Sequence, residues 1–204
     1  MFITFEGIDY CGKTTQAKLL VDRLKDLGKE VVFLREPGGT VVSEKIREIL
    51  LDRQHLEMSQ RAELLLFSAA RTQLVSEVIR PALQEGKIVV CDRFVDSTTA
   101  YQGYGRGLAL QEVTSINRIA TFGTTPDLTV LIDIEVSEIS KRQRAAGLTA
   151  DRMESAGVDF YTKVRKGYLT LAKQESDRFV VINGAHSINE IHNEIYTIVQ
   201  QRLK

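Results

Sequence analysis

The chain has 204 residues with 27 basic and 27 acidic side chains, so its formal net charge is zero at pH 7. A hydrophobic fraction of 43% excludes a disordered chain, and the balanced charge argues against a general nucleic-acid-binding protein. No apolar run approaches the roughly 20 residues that a membrane span needs. Two cysteines are too few for a disulfide scaffold and fit a reducing compartment. These properties predict one cytoplasmic domain over 1–204 with no nucleic-acid or membrane partner.

Short β-rich runs alternate with longer stretches of helical periodicity along the chain. The runs cover residues 2–5, 31–34, 88–91, 128–132 and 179–182. Because each run is apolar throughout, we expect strands buried on both faces, as in a parallel sheet covered by helices. A first helix over 13–27, a long helix interrupted at Pro81 and a last helix capped by Ser187 and Glu190 fit this pattern. The predicted fold is a doubly wound α/β domain with five parallel strands flanked by helices.

Polar residues cluster directly after most of these strands. In an open parallel sheet, ligands bind beyond the carboxyl ends of the strands. The segments in that position cover residues 6–15, 35–40, 92–102, 133 onward and 183–186. We therefore expect the chemistry of the protein at this edge of the sheet.

Residues 7–14 read GIDYCGKT, a complete G-x-x-x-x-G-K-[ST] pattern between the first strand and the first helix. Glycines let backbone N–H groups surround a polyphosphate, Lys13 supplies charge to the β- and γ-phosphates, and the Thr14 hydroxyl coordinates Mg²⁺. The pattern predicts a P-loop NTPase fold with a nucleoside triphosphate site. The residues expected to bind the triphosphate are Gly7, Ile8, Asp9, Tyr10, Cys11, Gly12, Lys13, Thr14 and Thr15.

A phosphate loop alone is shared by kinases, GTPases, motors and regulatory ATPases. The chain has no Asn-Lys-x-Asp segment of the kind that GTPases use to read guanine. It has instead a second set of cationic side chains directed to the same edge of the sheet. These are Arg35, Arg47, Arg71 and Arg93.

Three further segments resemble the thymidylate kinase family. They are REPGGT at 35–40, LLFSAAR at 65–71 and DRFVDSTTAYQG at 92–103, and with the phosphate loop they appear in the family's order over nearly the whole chain. The resemblance implies a nucleoside-monophosphate kinase that transfers a phosphoryl group from ATP to dTMP, giving ADP and dTDP for DNA precursor synthesis. It also implies Mg²⁺ as cofactor and a homodimer formed through the middle helices.

The resemblance further implies roles for individual residues. Phe67 stacks on thymine, Arg71 binds the edge of the base, and Tyr101 packs where a ribose 2′-hydroxyl would lie. Asp9 reaches the 3′-hydroxyl. The acceptor site is accordingly expected to contain Asp9, Arg35, Glu36, Arg47, Phe67, Arg71, Arg93, Ser97, Tyr101 and Gln102. Arginine suits such a site because its planar guanidinium binds phosphate or a base edge with a defined direction.

Residues 141–154, KRQRAAGLTADRME, suggest a small mobile lid with basic residues around Gly147. The phosphate loop has no arginine before Lys13, whereas this segment has Arg142, Arg144 and Arg152. The chain is thus similar to the branch of the family, common in bacteria, that places the catalytic arginine in the lid. This implies that Arg152 covers the transferred phosphate and that Arg144 contacts ATP.

The expected mechanism needs no general base, because a phosphate monoester with a second pKa of about 6 is already dianionic at neutral pH. Lys13, Arg93, Arg152 and Asp9 are the predicted catalytic residues, and Thr14 and Asp92 the predicted Mg²⁺ ligands. We expect Lys13 and Arg93 to face solvent in the empty cleft. Two alternatives stay open: a kinase of another (deoxy)nucleoside monophosphate, and a P-loop switch that binds nucleotide and a protein partner.

Two residues of the phosphate loop carry separate expectations. Cys11 lies at a helix N-terminus, which predicts a lowered thiol pKa and alkylation that ATP suppresses. Tyr10 occupies a position where the family usually has glycine. A bulky residue there makes backbone conformations with φ > 0 less accessible.

Overall fold

The structure, a computed structural model, describes residues 1–146, 152–153 and 157–203. Its sheet has five strands that pair in parallel in the order β2-β3-β1-β4-β5. The strands are β1 Phe2–Glu6, β2 Val31–Arg35, β3 Ile88–Asp92, β4 Leu128–Asp133 and β5 Phe179–Asn183. Every strand lies where the apolar runs predict it and continues one residue further, so the predicted doubly wound sheet is confirmed.

Helices connect the strands and cover both faces of the sheet. Their bounds are α1 Lys13–Asp26, α2 Val41–Leu51, α3 Gln60–Leu74, α4 Arg80–Gln84, α5 Val95–Thr98, α6 Leu110–Ala120, α7 Val136–Ala146, α8 Val158–Gln174 and α9 Ile188–Arg202. Within the described residues, no helix combines the length and apolar character that a membrane crossing requires.

Two apolar clusters show how the sheet is covered. Ile3 and Phe5 of β1 belong to one cluster, together with residues of α1, α8 and α9. Phe2 points the other way and packs with Leu74 and Ile79 below the middle helices. Successive side chains of a strand point to opposite faces, so β1 contributes to both cores and is buried throughout.

The long helix predicted from residue 59 remains helical through Pro81, although its hydrogen-bonding pattern changes. A π-helical segment, Val75–Ile79, separates α3 from α4, and Pro81 lies in the first turn of α4. Ile79 and Arg80, directly before Pro81, keep right-handed helical backbone angles. The predicted interruption at Pro81 is therefore a change in the hydrogen-bonding pattern and does not end the helix. A second π-helical segment, Thr99–Gly105, follows α5. Such segments often occur at functional sites.

The strand order places the end of β1 at a topological switch point. The chain leaves β1 toward β2 and β3 on one side, and later passes to β4 and β5 on the other. A crevice therefore opens beyond the carboxyl end of β1, where ligands bind in doubly wound folds. Residues 7–12 lie between β1 and α1 at this crevice.

Candidate active site

The phosphate loop adopts left-handed backbone conformations at three positions. Gly7 has φ 141°, Gly12 has φ 95°, and Tyr10 has φ 62°. A Cβ atom at Gly7 would lie 2.5 Å from the carbonyl oxygen of Ile132, so only glycine fits there. Tyr10 adopts the left-handed conformation although it is not glycine, so the loop keeps this turn at some conformational cost.

The amino terminus of α1 is open toward the loop. Gly12 gives the helix no side-chain cap, and the first turn has no acidic residue. Its N–H groups and the positive end of the helix dipole are therefore available to an anion. On the other side of the loop, Arg142 donates to the carbonyl oxygens of Tyr10 and Cys11 at 3.4 Å each and to that of Gly184 at 2.8 Å. The carbonyl oxygens on this side of the loop therefore accept hydrogen bonds from Arg142.

Cys11 contradicts the sequence-based expectation. Its side chain is buried, at 1% exposure. Burial raises the pKa of the Cys11 thiol above its ordinary value, and the nearby Lys13 charge and a backbone hydrogen bond oppose this only in part. The predicted lowering of the pKa is therefore wrong, because loss of hydration outweighs the position at the helix N-terminus.

Thr14 and Asp92 meet below the phosphate loop. The Thr14 hydroxyl donates to Oδ2 of Asp92. Oδ1 of Asp92 is buried and has no hydrogen-bond partner among the described residues. A hydroxyl and a carboxylate with a spare oxygen are the donor types that Mg²⁺ uses beside nucleotide phosphates. These two residues therefore fit a magnesium ion.

Arg93 is the centre of a hydrogen-bond network at the end of β3. It has a left-handed backbone with φ 73°. Nη2 donates to Asp9 at 2.5 Å and to the Tyr101 hydroxyl at 3.1 Å. Nη1 donates to the carbonyl oxygen of Gly7 at 3.1 Å, as well as to Ser97 and Tyr168. Arg93 thereby ties the phosphate loop to the π-helical segment and to α8.

Asp9 is the main anionic partner of Arg93. It also lies 3.9 Å from the Lys13 ammonium, and it accepts the hydroxyl protons of Tyr101 at 3.0 Å and Tyr161 at 2.8 Å. Burial raises the pKa of Asp9, but Arg93, Lys13 and the two tyrosines outweigh burial and hold that pKa below its ordinary value. Asp9 is therefore ionised in the neutral pH range.

Lys13 and Arg93 do not face solvent, contrary to expectation. Lys13 is 8% exposed, and the Arg93 side chain is 16% exposed. Their charges are held in the cleft by Asp9. The two ion pairs with Asp9 keep both cations oriented toward the cleft.

A cleft of about 240 Å³ lies between the phosphate loop and the middle helices. All the predicted acceptor residues line it, together with Lys13, Thr14 and Asp92. Four other residues, to which the sequence assigns no role, also line it: Pro37, Leu51, Thr98 and Met153. The structure thus brings Lys13, Thr14 and Asp92 to the same cavity as the predicted acceptor residues.

Arg71 and Glu36 form a buried pair in the wall of this cleft. Nε of Arg71 donates to Oε2 of Glu36 at 2.7 Å, and its other nitrogens donate to Thr98 at 2.8 Å and to the carbonyl oxygen of Phe94 at 3.0 Å. Oε1 of Glu36 is buried and, in the described chain, has no hydrogen-bond partner. Burial raises the pKa of Glu36, and Arg71 opposes this rise. Phe67, one helical turn before Arg71, is half-buried.

Glu63 is the common hydrogen-bond acceptor for a second group of polar side chains. Its carboxylate accepts hydrogen bonds from Gln102 at 2.9 Å, from Arg106 at 3.1 Å and from Arg152 at 2.7 Å. Arg152 also donates to the carbonyl oxygen of Leu50 at 2.7 Å. Burial raises the pKa of Glu63, but these donors outweigh it and lower the pKa. Arg152 is thus buried between α2 and α3, and Gln102 is directed to Glu63.

The lid is described only in part. Arg144 is exposed near the end of α7, and Arg152 and Met153 are buried. Gly147 of the predicted lid lies outside the described residues, as do the segments 148–151 and 154–156. The described part gives Arg142 a place beside the phosphate loop and Arg152 a place beside Glu63.

Comparisons with known proteins agree with this arrangement. The family model for thymidylate kinase matches residues 5–195. A thymidylate kinase from Caldanaerobacter subterraneus subsp. tengcongensis is 50% identical over 203 residues, which cover 100% of this chain and 96% of that protein. The chain belongs to the thymidylate kinase family.

Two other similar proteins extend the match. A thymidylate kinase from Chlorobium luteolum is 50% identical over 212 aligned residues, covering 100% of this chain and 99% of that protein. The crystal structure of thymidylate kinase from Ehrlichia chaffeensis is 37% identical, covers 98% of both chains and has a TM-score of 0.81. The similarity to thymidylate kinases therefore extends over the whole chain in sequence and in fold.

The sequence alone did not identify several polar residues of the site. Glu6, Tyr161 and Tyr168 surround Asp9 and Arg93, and Glu63 holds Arg152. A signal existed for Glu6, since it ends an otherwise apolar strand directly before the phosphate loop. The tyrosines of α8 and Glu63 on α3 carry no such signal, because polar residues are common on helix surfaces.

Proposed function

We propose that this chain transfers the γ-phosphoryl group of ATP to dTMP, giving ADP and dTDP. The observation that carries the proposal is the single cleft in which the phosphate loop meets all the predicted acceptor residues. Membership of the thymidylate kinase family supports the identity of donor and acceptor.

Phe67 and Arg71 form the site for the thymine ring in this proposal. The half-buried ring of Phe67 offers a stacking surface, and Leu51 and Met153 add apolar walls to the cleft. The buried Arg71, held by Glu36, offers a direction-specific donor at the base edge. Gln102 lines the same cleft and completes the polar side of the pocket.

The acceptor phosphate binds among three arginines. Arg35 and Arg47 both donate to the carbonyl oxygen of Pro37, at 3.3 and 3.0 Å, so their guanidinium groups lie close together at the cleft. Arg93 faces them from β3 and is kept in place by Asp9. Fixed positive charge of this kind lets two mutually repelling phosphates approach in line.

The sugar of the acceptor lies against Tyr101 and Asp9. The Tyr101 hydroxyl bridges Asp9 and Arg93, so its ring is fixed in the cleft. In this proposal the fixed ring packs where a ribose 2′-hydroxyl would lie, which favours deoxyribose. Asp9 accepts hydrogen bonds on both carboxylate oxygens and can accept one more from a 3′-hydroxyl.

The donor phosphates bind to the phosphate loop, the amino terminus of α1 and Lys13, and Arg144 reaches ATP from the lid. Thr14 and Asp92 would hold Mg²⁺, which would supply positive charge to neutralise the bound triphosphate. The chain itself orients the two nucleotides, and no residue needs to remove a proton from the acceptor phosphate. Arg152 covers the transferred phosphate once it leaves Glu63, so its action depends on a movement of the lid.

A homodimer completes the proposal. Exposed apolar side chains on α3 and α6 support it. Leu65 on α3 is 56% exposed and Ile119 on α6 is 75% exposed, and Leu110 at the start of α6 and Phe122 shortly after its end are exposed as well. Exposed apolar surfaces of this kind favour association.

Two buried cysteines without a disulfide and the balanced net charge support a cytoplasmic protein without nucleic-acid or membrane partners.

Identification of the products tests the proposal. The protein, ATP, Mg²⁺ and dTMP should yield ADP and dTDP in equal amounts, detected together by ³¹P NMR or by ion-exchange chromatography. ADP formed with inorganic phosphate and without dTDP would contradict it, since hydrolysis would then replace transfer.

A further inference from the structure

Glu6 is a buried carboxylate that no step of the proposed reaction uses. It ends β1, directly before the phosphate loop, and it is 0% exposed. Oε1 accepts the backbone N–H of Phe94 at 2.7 Å. Oε2 accepts the hydroxyl protons of Ser97 at 2.6 Å and of Tyr168 at 2.8 Å. Glu6 therefore connects the start of the phosphate loop to three elements around Arg93.

The same two hydroxyl groups also contact Arg93. Nη1 of Arg93 lies 3.0 Å from Oγ of Ser97 and 3.2 Å from the hydroxyl oxygen of Tyr168. A guanidinium only donates, an ionised carboxylate only accepts, and each hydroxyl has one proton. Glu6 is ionised at a pH above its raised pKa of about 7. With both hydroxyl protons directed to Oε2 of Glu6, as these distances allow, the hydroxyl lone pairs face Arg93.

This arrangement fixes Arg93 from below. The two hydroxyl groups and the carbonyl oxygen of Gly7 accept hydrogen bonds from Nη1, and Asp9 and Tyr101 accept hydrogen bonds from Nη2. Without an acceptor at Oε2, the hydroxyls of Ser97 and Tyr168, which lie 2.8 Å apart, could bond to each other. One of them would then lose its orientation toward Arg93.

We propose that Glu6 is a positioning residue for the phosphoryl transfer: by accepting the protons of Ser97 and Tyr168, it keeps both hydroxyls as acceptors for Arg93 and so aligns this guanidinium with the acceptor phosphate. The inference rests on the role of Arg93 proposed above. Glu6 itself touches neither nucleotide, because it is covered by Ser97, Tyr168 and the backbone of Phe94.

Glu6→Gln tests the inference, because it keeps the shape and replaces one acceptor oxygen by a donor. With the amide nitrogen facing the two hydroxyls, their lone pairs turn away from Arg93. At pH 8, where Glu6 is ionised, we expect KM for dTMP to rise and kcat to fall, lowering kcat/KM for dTMP about tenfold or more. KM for ATP should stay within about twofold of wild type, since Lys13 and the loop are unchanged. Asp127→Asn is the matched control, because Asp127 accepts the N–H of Phe2 at the other end of β1.

A double-mutant cycle separates alignment of Arg93 from a general structural role. Arg93→Lys keeps the charge but loses the planar fork that the two hydroxyls hold. If Glu6 acts through Arg93, Glu6→Gln has little further effect on kcat/KM in the Arg93→Lys background. If the two losses multiply instead, Glu6 does not act through Arg93 and the inference is overturned.

Tyr168→Phe keeps the test decisive should Glu6→Gln fail to fold. It removes one of the two hydroxyls and retains the ring, so it should lower kcat/KM for dTMP about threefold or more in wild type and much less in Arg93→Lys. Unchanged kinetics with dTMP in Tyr168→Phe would overturn the inference. A wild-type kcat/KM for dTMP in Arg93→Lys alone would overturn the role of Arg93, and with it the inference. A lowered kcat/KM in Arg93→Lys, combined with additive effects of the two substitutions, would overturn only the part played by Glu6.

Discussion

Arg152 donates a hydrogen bond to Glu63 at 2.7 Å, and both side chains are almost completely buried, at 4% and 1% exposure. The lid arginine is therefore held against α3 by a carboxylate in this structure. The same carboxylate accepts Arg106, so one buried negative charge compensates two positive ones. This pairing holds Arg152 between α2 and α3 in the described part of the chain.

Removal of Glu63 should destabilise the protein strongly. In Glu63→Ala, the guanidinium groups of Arg106 and Arg152 lose their shared acceptor, and breaking a buried ion pair costs about 3–5 kcal/mol. Urea denaturation measures the free energy of unfolding. Glu138→Gln is the control, because Glu138 pairs with Lys141 on an exposed face of α7 and should change little. A loss in Glu63→Ala no larger than in the control would contradict the energetic role of this pair.

Substitution of Phe67 should weaken the binding of the acceptor dTMP and leave the binding of the donor ATP unchanged. Phe67→Ala removes a stacking surface that is worth about 1–3 kcal/mol per base, so KM for dTMP should rise about tenfold while KM for ATP stays constant. Steady-state kinetics with each substrate varied in turn measure both constants. Gln73→Ala on the same helix is the control, since Gln73 bonds only to Glu77 at the surface in the described contacts. Equal effects on both KM values would argue against a base site at Phe67.

Glu6 should make stability depend on pH. Burial, with the nearby charge of Asp96, raises the pKa of Glu6 from 4.5 to about 7. Between these values the folded state keeps a proton that the unfolded state loses, so the free energy of unfolding falls as pH rises through this range, by roughly 3 kcal/mol in total. Denaturation curves from pH 4.5 to 8 should show this contribution as a difference between wild type and Glu6→Gln. A difference that does not change with pH would refute the raised pKa.

The surface of α3 and α6 should govern association. Leu65→Glu and Ile119→Glu place charges on exposed apolar positions, so they should convert a dimer into a monomer without loss of fold. Light scattering after size-exclusion chromatography gives the mass, and circular dichroism checks the fold. Ile188→Glu, at an equally exposed apolar position at the start of α9, should remain dimeric. A monomeric wild-type protein would refute the proposed dimer.

The sheet could be predicted from sequence because strands buried on both faces must be apolar throughout. Each predicted strand nevertheless ends one residue early, before Glu6, Arg35, Asp92, Asp133 and Asn183. These polar residues still pair with neighbouring strands, as Arg35 does with Asp92, because backbone pairing is independent of side-chain polarity. The apolar run of each strand therefore ends one residue before the strand itself, at the edge of the sheet where the site lies.

Other parts of the site could not be predicted because they depend on contacts between distant residues. The pair of Arg152 and Glu63 joins positions 89 apart in sequence. The position of Cys11 at a helix N-terminus predicts a reactive thiol, but its burial by the folded chain reverses this effect. The burial of Lys13 likewise follows from tertiary packing around Asp9. Motifs locate the cleft, and the contacts within it are set by the fold.

Acceptor specificity tests the central claim most directly. The measurement is kcat/KM for ADP formation with ATP and Mg²⁺ in the presence of dTMP, dUMP, dCMP, dGMP, the ribose form of TMP, or no acceptor. Turnover confined mainly to dTMP would agree with a pocket in which Phe67 and Arg71 read thymine and Tyr101 excludes ribose. Preference for another monophosphate, or equal turnover without any acceptor, would contradict the assignment of a thymidylate kinase.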